Sequence, residues 1–356
     1  MLRRTFIKTA AAVTGAAAVA TLLAAPALAQ TKWDASVPWG PTVFHTENLV
    51  RFAEEVKKVT NGEVEITVHV GASLGIKGPD SVRSVRDGIV PMAEFAGFQQ
   101  TGDEPLLGFE ALPYLINDFD ELEMFVGEIR GLYEAAFEKQ NQKMLYTVPW
   151  PSQNIFTKDP VTSMADLEDL AIRTYNKTST ELMTALGMSP RLISTSDVVP
   201  ALAAGGIDAV MTSGSTAVAQ KYWEFLNHTY RTNHLWALNQ LTVNLDAWNK
   251  LSAKNQKAIE GLARKLEPEF WQVSRDEDSV KLQELKDRGM TIEAPPAAVI
   301  KEMRAEGHQI ELNLSPGATP TDRMIDRFRD NDIHIRLYVM HQVPATSIGL
   351  TVRKAG

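Results

Sequence analysis

The chain has 356 residues, 44% of them apolar, with 36 Lys and Arg against 44 Asp and Glu and a formal charge of −8. An acidic chain of this kind is a poor partner for nucleic acid, and the absence of cysteine excludes a disulfide framework, a thiolate nucleophile and cysteine-ligated metal. Length and apolar content support two compact lobes of ordinary size.

In chain order, the first segment reads as an address and not as part of the fold. Arg3-Arg4 precedes an apolar, Ala-rich stretch from Thr9 to Ala25, broken by Pro26 and closed by Ala27-Leu28-Ala29. This pattern predicts a twin-arginine export signal over residues 1–29, cleaved after Ala29. Leu2 stands where such signals carry Ser or Thr, which leaves the general secretory route open. Cleavage removes Arg3, Arg4 and Lys8 and no acid, so the mature chain is more acidic still. No later stretch is long and apolar enough to span a bilayer, so a soluble, exported, periplasmic protein is expected.

Beyond the signal, amphipathic helical patterns alternate with short β-branched runs, the signature of α/β lobes. Phe44 to Val59 puts Leu49, Phe52, Ala53 and Val56 on one helical face and stops at Asn61-Gly62. Glu63 to Val70 alternates as a half-buried strand, and the loop Gly71 to Pro79 leads into a helix over Asp80 to Asp87. A helix from about Thr178, stopped by Gly187, precedes an expected strand over Arg191 to Ser194. Ser194-Thr195-Ser196-Asp197 offers side-chain oxygens to cap a helix over Val198 to Ala204. Ser252 to Arg288 is a long helical pattern that Pro268 is expected to kink or break.

Several ordered segments resemble the solute-binding proteins of tripartite ATP-independent periplasmic (TRAP) transporters, the dicarboxylate and organic-acid binding family. They are Phe52-Ala53-Glu54-Glu55-Val56 with Asn61-Gly62, Val85-Arg86-Asp87-Gly88, Ala111-Leu112-Pro113-Tyr114 and Asp169-Leu170-Ala171-Ile172-Arg173. Ala185-Leu186-Gly187-Met188-Ser189-Pro190, Ala203-Ala204-Gly205-Gly206-Ile207-Asp208-Ala209 and Trp248-Asn249-Lys250-Leu251 complete the set, which spans Val37 to Arg329. The resemblance implies a two-lobed α/β periplasmic-binding-protein fold with crossing strands and a long hinge-spanning helix. It implies a first lobe of residues 30–150 with 238–277 and a second of 151–237 with 278–329, leaving 330–356 as an extension of unknown structure. Its implied partners are a small organic acid and the small and large membrane subunits of a TRAP permease.

The resemblance also carries over site residues. Arg173 is the arginine that anchors the ligand carboxylate in this family, and a planar guanidinium can meet a carboxylate through two parallel hydrogen bonds. Gln153 falls where sugar-acid binders carry a second arginine, and Thr212 or Ser213 where they carry an asparagine. Trp39, Phe95 and Asn239 align with pocket-lining places. Because Pro38, Phe95 and Gln153 stand where sugar-acid binders have charged or amide groups, a compact monocarboxylate with an apolar or aromatic body is expected on Arg173, Trp39, Phe95 and Trp150. A dicarboxylate remains the alternative.

Other chemistry is less well supported. Gly71-Ala72-Ser73-Leu74-Gly75 formally matches a nucleophile elbow, so a serine hydrolase using Ser73 is the alternative enzyme reading, without a recognisable triad partner in sequence. A ligand sensor for a membrane receptor is a further alternative. His228 and His234 have no metal-ligand spacing, and neither a P-loop nor a dinucleotide loop is present, so no metal or cofactor is expected.

Overall fold

A computed structural model of the chain describes residues 30–307 and the backbone of three short strands beyond them. The expected export signal over 1–29 and most of 330–356 lie outside the described residues. The elements are β1 Thr31–Ser36, α1 Phe44–Val59, β2 Val64–His69, α2 Ser81–Arg86, β3 Met92–Ala96, α3 Phe119–Lys139 and β4 Gln142–Pro149. There follow β5 Asn154–Thr157, β6 Ala171–Thr174, α4 Lys177–Ala185, β7 Ser189–Leu192, α5 Val198–Ala203, β8 Ala209–Thr212, α6 Gly214–Ala219 and β9 His228–Tyr230. The chain continues with β10 Leu238–Asn244, α7 Leu245–Trp248, α8 Ala253–Asp287, β11 Thr291–Glu293 and α9 Ala297–Gly307, then β12 Leu312–Leu314, β13 Tyr338–Val339 and β14 Leu350–Val352.

Two mixed sheets form two lobes. The first has the order β2-β1-β3-β10-β4, with β1 parallel to β2 and β3, and β10 antiparallel to β3 and β4. The second has the order β11-β9-β5-β8-β6-β7, with β6 parallel to β7 and β8, and β5 antiparallel to β8 and β9. β12, β14 and β13 make a small antiparallel sheet of their own.

The central strands β3, β4, β10, β5 and β8 are buried almost throughout, while the outer strands β2, β7 and β11 keep exposed or half-exposed residues. In the first lobe α1 and α8 cover one face, where Tyr146 of β4 meets Phe52 at 5.4 Å and Phe270 at 5.5 Å between ring centroids. α3 covers the other, where Phe137 meets Phe95 of β3 at 6.0 Å. One apolar core runs through this lobe into the second through Ile155, Ile172 and Met211, and a satellite core around Phe156, Val210, Tyr222 and Leu285 completes the second lobe.

The lobes are joined by paired crossing segments. Between β4 and β5 and between β9 and β10 the chain crosses in opposite directions, with Trp150 N–H donating to the Ala237 carbonyl at 2.9 Å and Gln153 N–H to Leu235 at 3.1 Å. Extended backbone therefore continues from one sheet to the other without a flexible tether. α8 contacts β4 in the first lobe and α6 in the second, and at 1.5 Å per residue its 35 residues reach roughly 50 Å.

Three local expectations are corrected. Pro268 does not break α8, which runs through it unbroken. The proline removes one hydrogen bond, but Leu266 and Phe270 beside it are fully buried, and Glu267 accepts from the Thr147 N–H at 3.1 Å. Packing on both sides outweighs the about 3 kcal/mol that an interior proline costs. The strand expected over Arg191 to Ser194 instead spans Ser189–Leu192, with Pro190 opposite Ile172. It is the last strand of its sheet, where a missing N–H costs no ladder bond. Finally, neither Ser194 nor Asp197 caps a helix through its side chain. The Asp197 carboxylate is turned toward Lys77 of the other lobe instead.

Candidate functional site

Open α/β sheets place their ligands beyond the carboxyl ends of parallel strands, and here both sheets aim those ends at one cleft. A cavity of about 30 Å³ lies between the lobes, lined by residues at or just past β1 (Trp39), β3 (Ala96, Phe98, Gln99), β4 (Trp150), β6 (Arg173, Tyr175), β7 (Thr195) and β8 (Thr212, Ser213, Thr216). The antiparallel strands β5 and β10 contribute residues ahead of their starts, Gln153 and Ala237. A space that holds only a couple of waters means that the lobes are closed on each other.

Arg173 is the one ionised group on this wall. It is 2% exposed. Its Nε donates to the Ile193 carbonyl at 2.9 Å, Nη1 to the Met211 carbonyl at 3.3 Å and Nη2 to Thr195 Oγ1 at 3.3 Å. Three of the five guanidinium N–H donors are thereby held, and two are left. No carboxylate among the described residues pairs with it, and burial lowers its pKa. The strand thus presents a desolvated, orientationally fixed cation with no protein counter-ion, a state that a ligand carboxylate relieves.

Aromatic rings surround the cation. The Tyr175 ring centroid is 5.3 Å from the guanidinium carbon, and Phe98 of the first lobe meets Tyr175 across the cleft at 4.8 Å. Trp39 packs edge-on against Trp150 at 5.2 Å. Phe98 and Gln99 sit on a 3-10 turn that starts at Gly97, where a Cβ would come within 2.4 Å of Gln240 Oε1.

Of the residues expected at the site, Arg173, Gln153, Thr212, Ser213 and Trp39 lie on this cavity. Phe95 and Asn239 do not. Successive side chains of a strand point to opposite faces, so Ala96 reaches the cavity while Phe95 packs beneath α3 against Phe137. Asn239 lies one layer behind: its Oδ1 accepts the Trp150 indole N–H at 2.7 Å and its Nδ2 donates to Glu94 Oε1 at 3.0 Å. Glu94 is itself held by Tyr146 Oη at 2.7 Å and lies 3.1 Å from His45 Nδ1. Burial lowers the pKa of His45 in spite of that neighbour. The chain of contacts fixes the Trp150 ring that faces the cavity.

Sequence reasoning missed Phe98, Gln99, Tyr175, Thr195 and Thr216. The strand-end rule would have found Tyr175, two residues beyond Arg173 at the end of the same strand. Ser73 lies exposed on the turn after β2, between left-handed residues at Gly71, Ala72 and Gly75. His69 is paired with Asp34 at 2.7 Å, but no hydrogen bond among the described residues joins Ser73 to it. His234 is buried and bonded to Thr232, with burial driving its pKa down to about 3, and among the described residues no cluster is suited to a metal ion.

A larger groove of about 760 Å³ runs between α3 and α8 on the outside of the first lobe. Most of its charges are mutually engaged, Arg130 with Glu134 and Glu267, Lys143 with Glu260, and Arg275 with Glu123. It offers no desolvated, unbalanced group comparable to Arg173.

Comparison with known proteins agrees with this geometry. Bordetella pertussis DctP7, an extracytoplasmic solute receptor binding pyroglutamic acid, superposes with a TM-score of 0.76 at 30% identity, covering 78% of this chain and 92% of that one. A marine-metagenome TRAP solute-binding protein specific for pyroglutamate gives a TM-score of 0.75 at 32% identity, covering 78% and 91%. The C4-dicarboxylate-binding periplasmic protein DctP of Rhodobacter capsulatus is 26% identical over 287 residues, 79% of this chain and 85% of that protein. Residues 36–313 match the model of the bacterial extracellular solute-binding proteins, family 7, and the chain belongs to that family, the periplasmic solute-binding proteins of TRAP transporters.

Proposed function

We propose that this protein captures a small monocarboxylate between its lobes and delivers it to the small and large membrane subunits of a TRAP permease. The observation that carries the reading is Arg173: a buried guanidinium without a carboxylate partner among the described residues, with two donors left for a ligand. Arg173 anchors the carboxylate, and Trp39, Phe98, Trp150 and Tyr175 enclose the rest of the ligand. Gln153, Thr212 and Ser213 supply polar edges. The lobes that close are residues 30–150 with 238–277 and 151–237 with 278–307; the expected continuation to 329 lies mostly outside the described residues.

A second charge on the ligand would find no cation among the lining residues, which disfavours a dicarboxylate. A polyhydroxylated acid would press its hydroxyls against aromatic faces and leave them unpaired, at about 1 to 3 kcal/mol each. Pyroglutamate, the ligand of the two structurally similar proteins at 30% and 32% identity, is compact, has one carboxylate and presents a flat ring to aromatic walls. The test is a thermal-shift screen of the purified protein with pyroglutamate, succinate, glucuronate and benzoate. Pyroglutamate in hundredfold excess over its dissociation constant stabilises by about 2.7 kcal/mol. Stabilisation by none of these acids overturns the reading.

A further inference from the structure

Several polar groups on the cavity wall are committed to the protein. The Trp150 indole N–H goes to Asn239 and the Gln153 side-chain N–H to the Pro151 carbonyl at 2.9 Å. Thr195 Oγ1 receives Arg173, and Ser213 Oγ caps α6 by accepting from the Thr216 N–H at 3.4 Å. Tyr175 differs. It lines the cavity, is 6% exposed, and its hydroxyl is fully buried without a hydrogen-bond partner among the described residues. A buried hydroxyl left unpaired costs about 1 to 3 kcal/mol, and nearly all such groups in folded proteins have a partner.

The position of the ring explains what that partner is. The ring is clamped between Arg173 on its own strand end, at 5.3 Å, and Phe98 of the opposite lobe, at 4.8 Å. Whatever carboxylate meets Arg173 therefore has its body beside the phenol. Burial raises the phenol pKa, so the hydroxyl keeps its proton and can donate.

We infer that Tyr175 is a specificity-determining residue whose hydroxyl donates to an uncharged oxygen of the ligand, so that the protein selects carboxylates carrying a nearby carbonyl over plain carbocyclic or aliphatic acids. This rests on the reading of Arg173 as the carboxylate anchor. It adds that the site is built for two oxygen functions, one ionised and one neutral. An analogue lacking the neutral oxygen leaves the phenol unpaired, and such sites discriminate strongly against the missing group.

The experiment is calorimetric titration of wild type and Tyr175→Phe with pyroglutamate and with cyclopentanecarboxylate, which has the same ring size without the lactam. Tyr175→Phe keeps the ring between Arg173 and Phe98 and removes only the hydroxyl. The expected result is a wild-type preference for pyroglutamate of at least about tenfold. In Tyr175→Phe, pyroglutamate weakens by about tenfold while cyclopentanecarboxylate is unchanged or tighter. The thermal midpoint of ligand-free Tyr175→Phe is not lowered. Wild type binding both acids equally, or Tyr175→Phe weakening both alike, overturns the inference while leaving the carboxylate site intact. Wild type binding neither acid overturns that reading of the site and the inference with it.

Discussion

Lys77 and Asp197 form an ion pair across the mouth of the cleft, Nζ to Oδ2 at 2.9 Å. Lys77 belongs to the loop after β2 in the first lobe and Asp197 to the turn before α5 in the second, so the pair exists only while the lobes are together. Both side chains are about half exposed, 50% and 51%. Exposed pairs contribute about 0 to 1 kcal/mol and are screened by salt. Lys77→Met is therefore expected to weaken ligand binding by less than about fivefold at low salt, and the difference disappears near about 0.5 M NaCl. Calorimetry at two salt concentrations checks this. A loss of binding that salt leaves untouched shows that Lys77 acts on the ligand or the fold and not as a latch.

Arg173 carries a larger expectation. Its guanidinium is fixed by Ile193, Met211 and Thr195 before any ligand arrives, so the orientation cost of binding is met by the fold. Arg173→Ala is expected to cost about 2 to 5 kcal/mol of affinity, because the ligand carboxylate is then buried without a partner. Arg173→Lys fails as well, since one ammonium cannot reproduce the planar fork. The ligand-free protein behaves differently: Arg173→Met removes an unpaired buried charge, and its thermal midpoint is expected to equal or exceed that of wild type. Near-normal affinity in folded Arg173→Ala places the anchor elsewhere.

Much of the architecture was legible where one face of an element is wet. The stripe Leu49, Phe52, Ala53, Val56 and the alternation of Val64 and Ile66 mark α1 and β2 because their polar faces meet water. β3 gives no such sign. All five of its residues are buried, so its face parity cannot be read from polarity: the resemblance points to Phe95 where the structure has Phe98 on the cavity. Asn239 is a polar residue 0% exposed; from sequence it looks like a ligand contact, whereas its partners Glu94 and Trp150 come from β3 and the end of β4, neighbours of β10 in the sheet but about 90 to 145 residues away in sequence. Pro268 misled for the opposite reason, since a local rule was overridden by long-range packing of Leu266 and Phe270. Tyr175 needed only the strand-end rule applied once more after Arg173.

Glu110 sets a pH dependence at the hinge. It is buried, bonded to Tyr133 Oη, and accepts the Leu238 N–H at 3.3 Å where the crossing segment enters β10. Burial raises its pKa to about 7, more than its hydrogen bonds lower it. A carboxyl with a raised native pKa binds more protons folded than unfolded between pH about 4.5 and 7, so its contribution to stability is complete below that window and is lost as pH rises through it. The loss is on the order of 3 kcal/mol. His234, held at about 3 by burial, acts in the other direction, adding stability as pH rises from about 3 to 6.5. The difference between wild type and Glu110→Gln isolates the first effect: the variant, which mimics the protonated carboxyl, is expected to gain in thermal midpoint relative to wild type as pH rises from 5 to 8. A constant difference across that range refutes the assignment.

Ser73 is expected to be inert. It is exposed, and the nearby His69 is committed to Asp34 and not to the serine. A nucleophilic serine requires a base within hydrogen-bond reach. Ser73→Ala is expected to leave ligand affinity within about twofold and to change nothing in an activated-ester assay, where wild type shows no burst. A burst abolished by the substitution contradicts this.

On the proposed reading, ligand choice follows from the match between one cation and four rings. Arg173 can neutralise a single carboxylate, and no further cation lies among the lining residues. A four-carbon dicarboxylate must therefore bury its second charge against Trp39, Phe98 or Trp150, a desolvation that costs several kcal/mol with nothing to offset it. A uronic acid loses about 1 to 3 kcal/mol for each hydroxyl left without a partner. A compact cyclic monocarboxylate buries only apolar faces, recovering roughly 25 cal/mol for each Å² removed from water. Titration is expected to rank pyroglutamate above succinate and succinate above glucuronate. Phe98→Ala, which removes the first-lobe ring from its 4.8 Å contact with Tyr175, is expected to weaken pyroglutamate by about 1 to 3 kcal/mol. Phe95→Leu, a volume-sparing change beneath α3, leaves the ranking unchanged because its ring faces Phe137 and not the cleft. Tightest binding by glucuronate, or a Phe98→Ala variant with wild-type affinity for every acid, refutes this picture of the cavity.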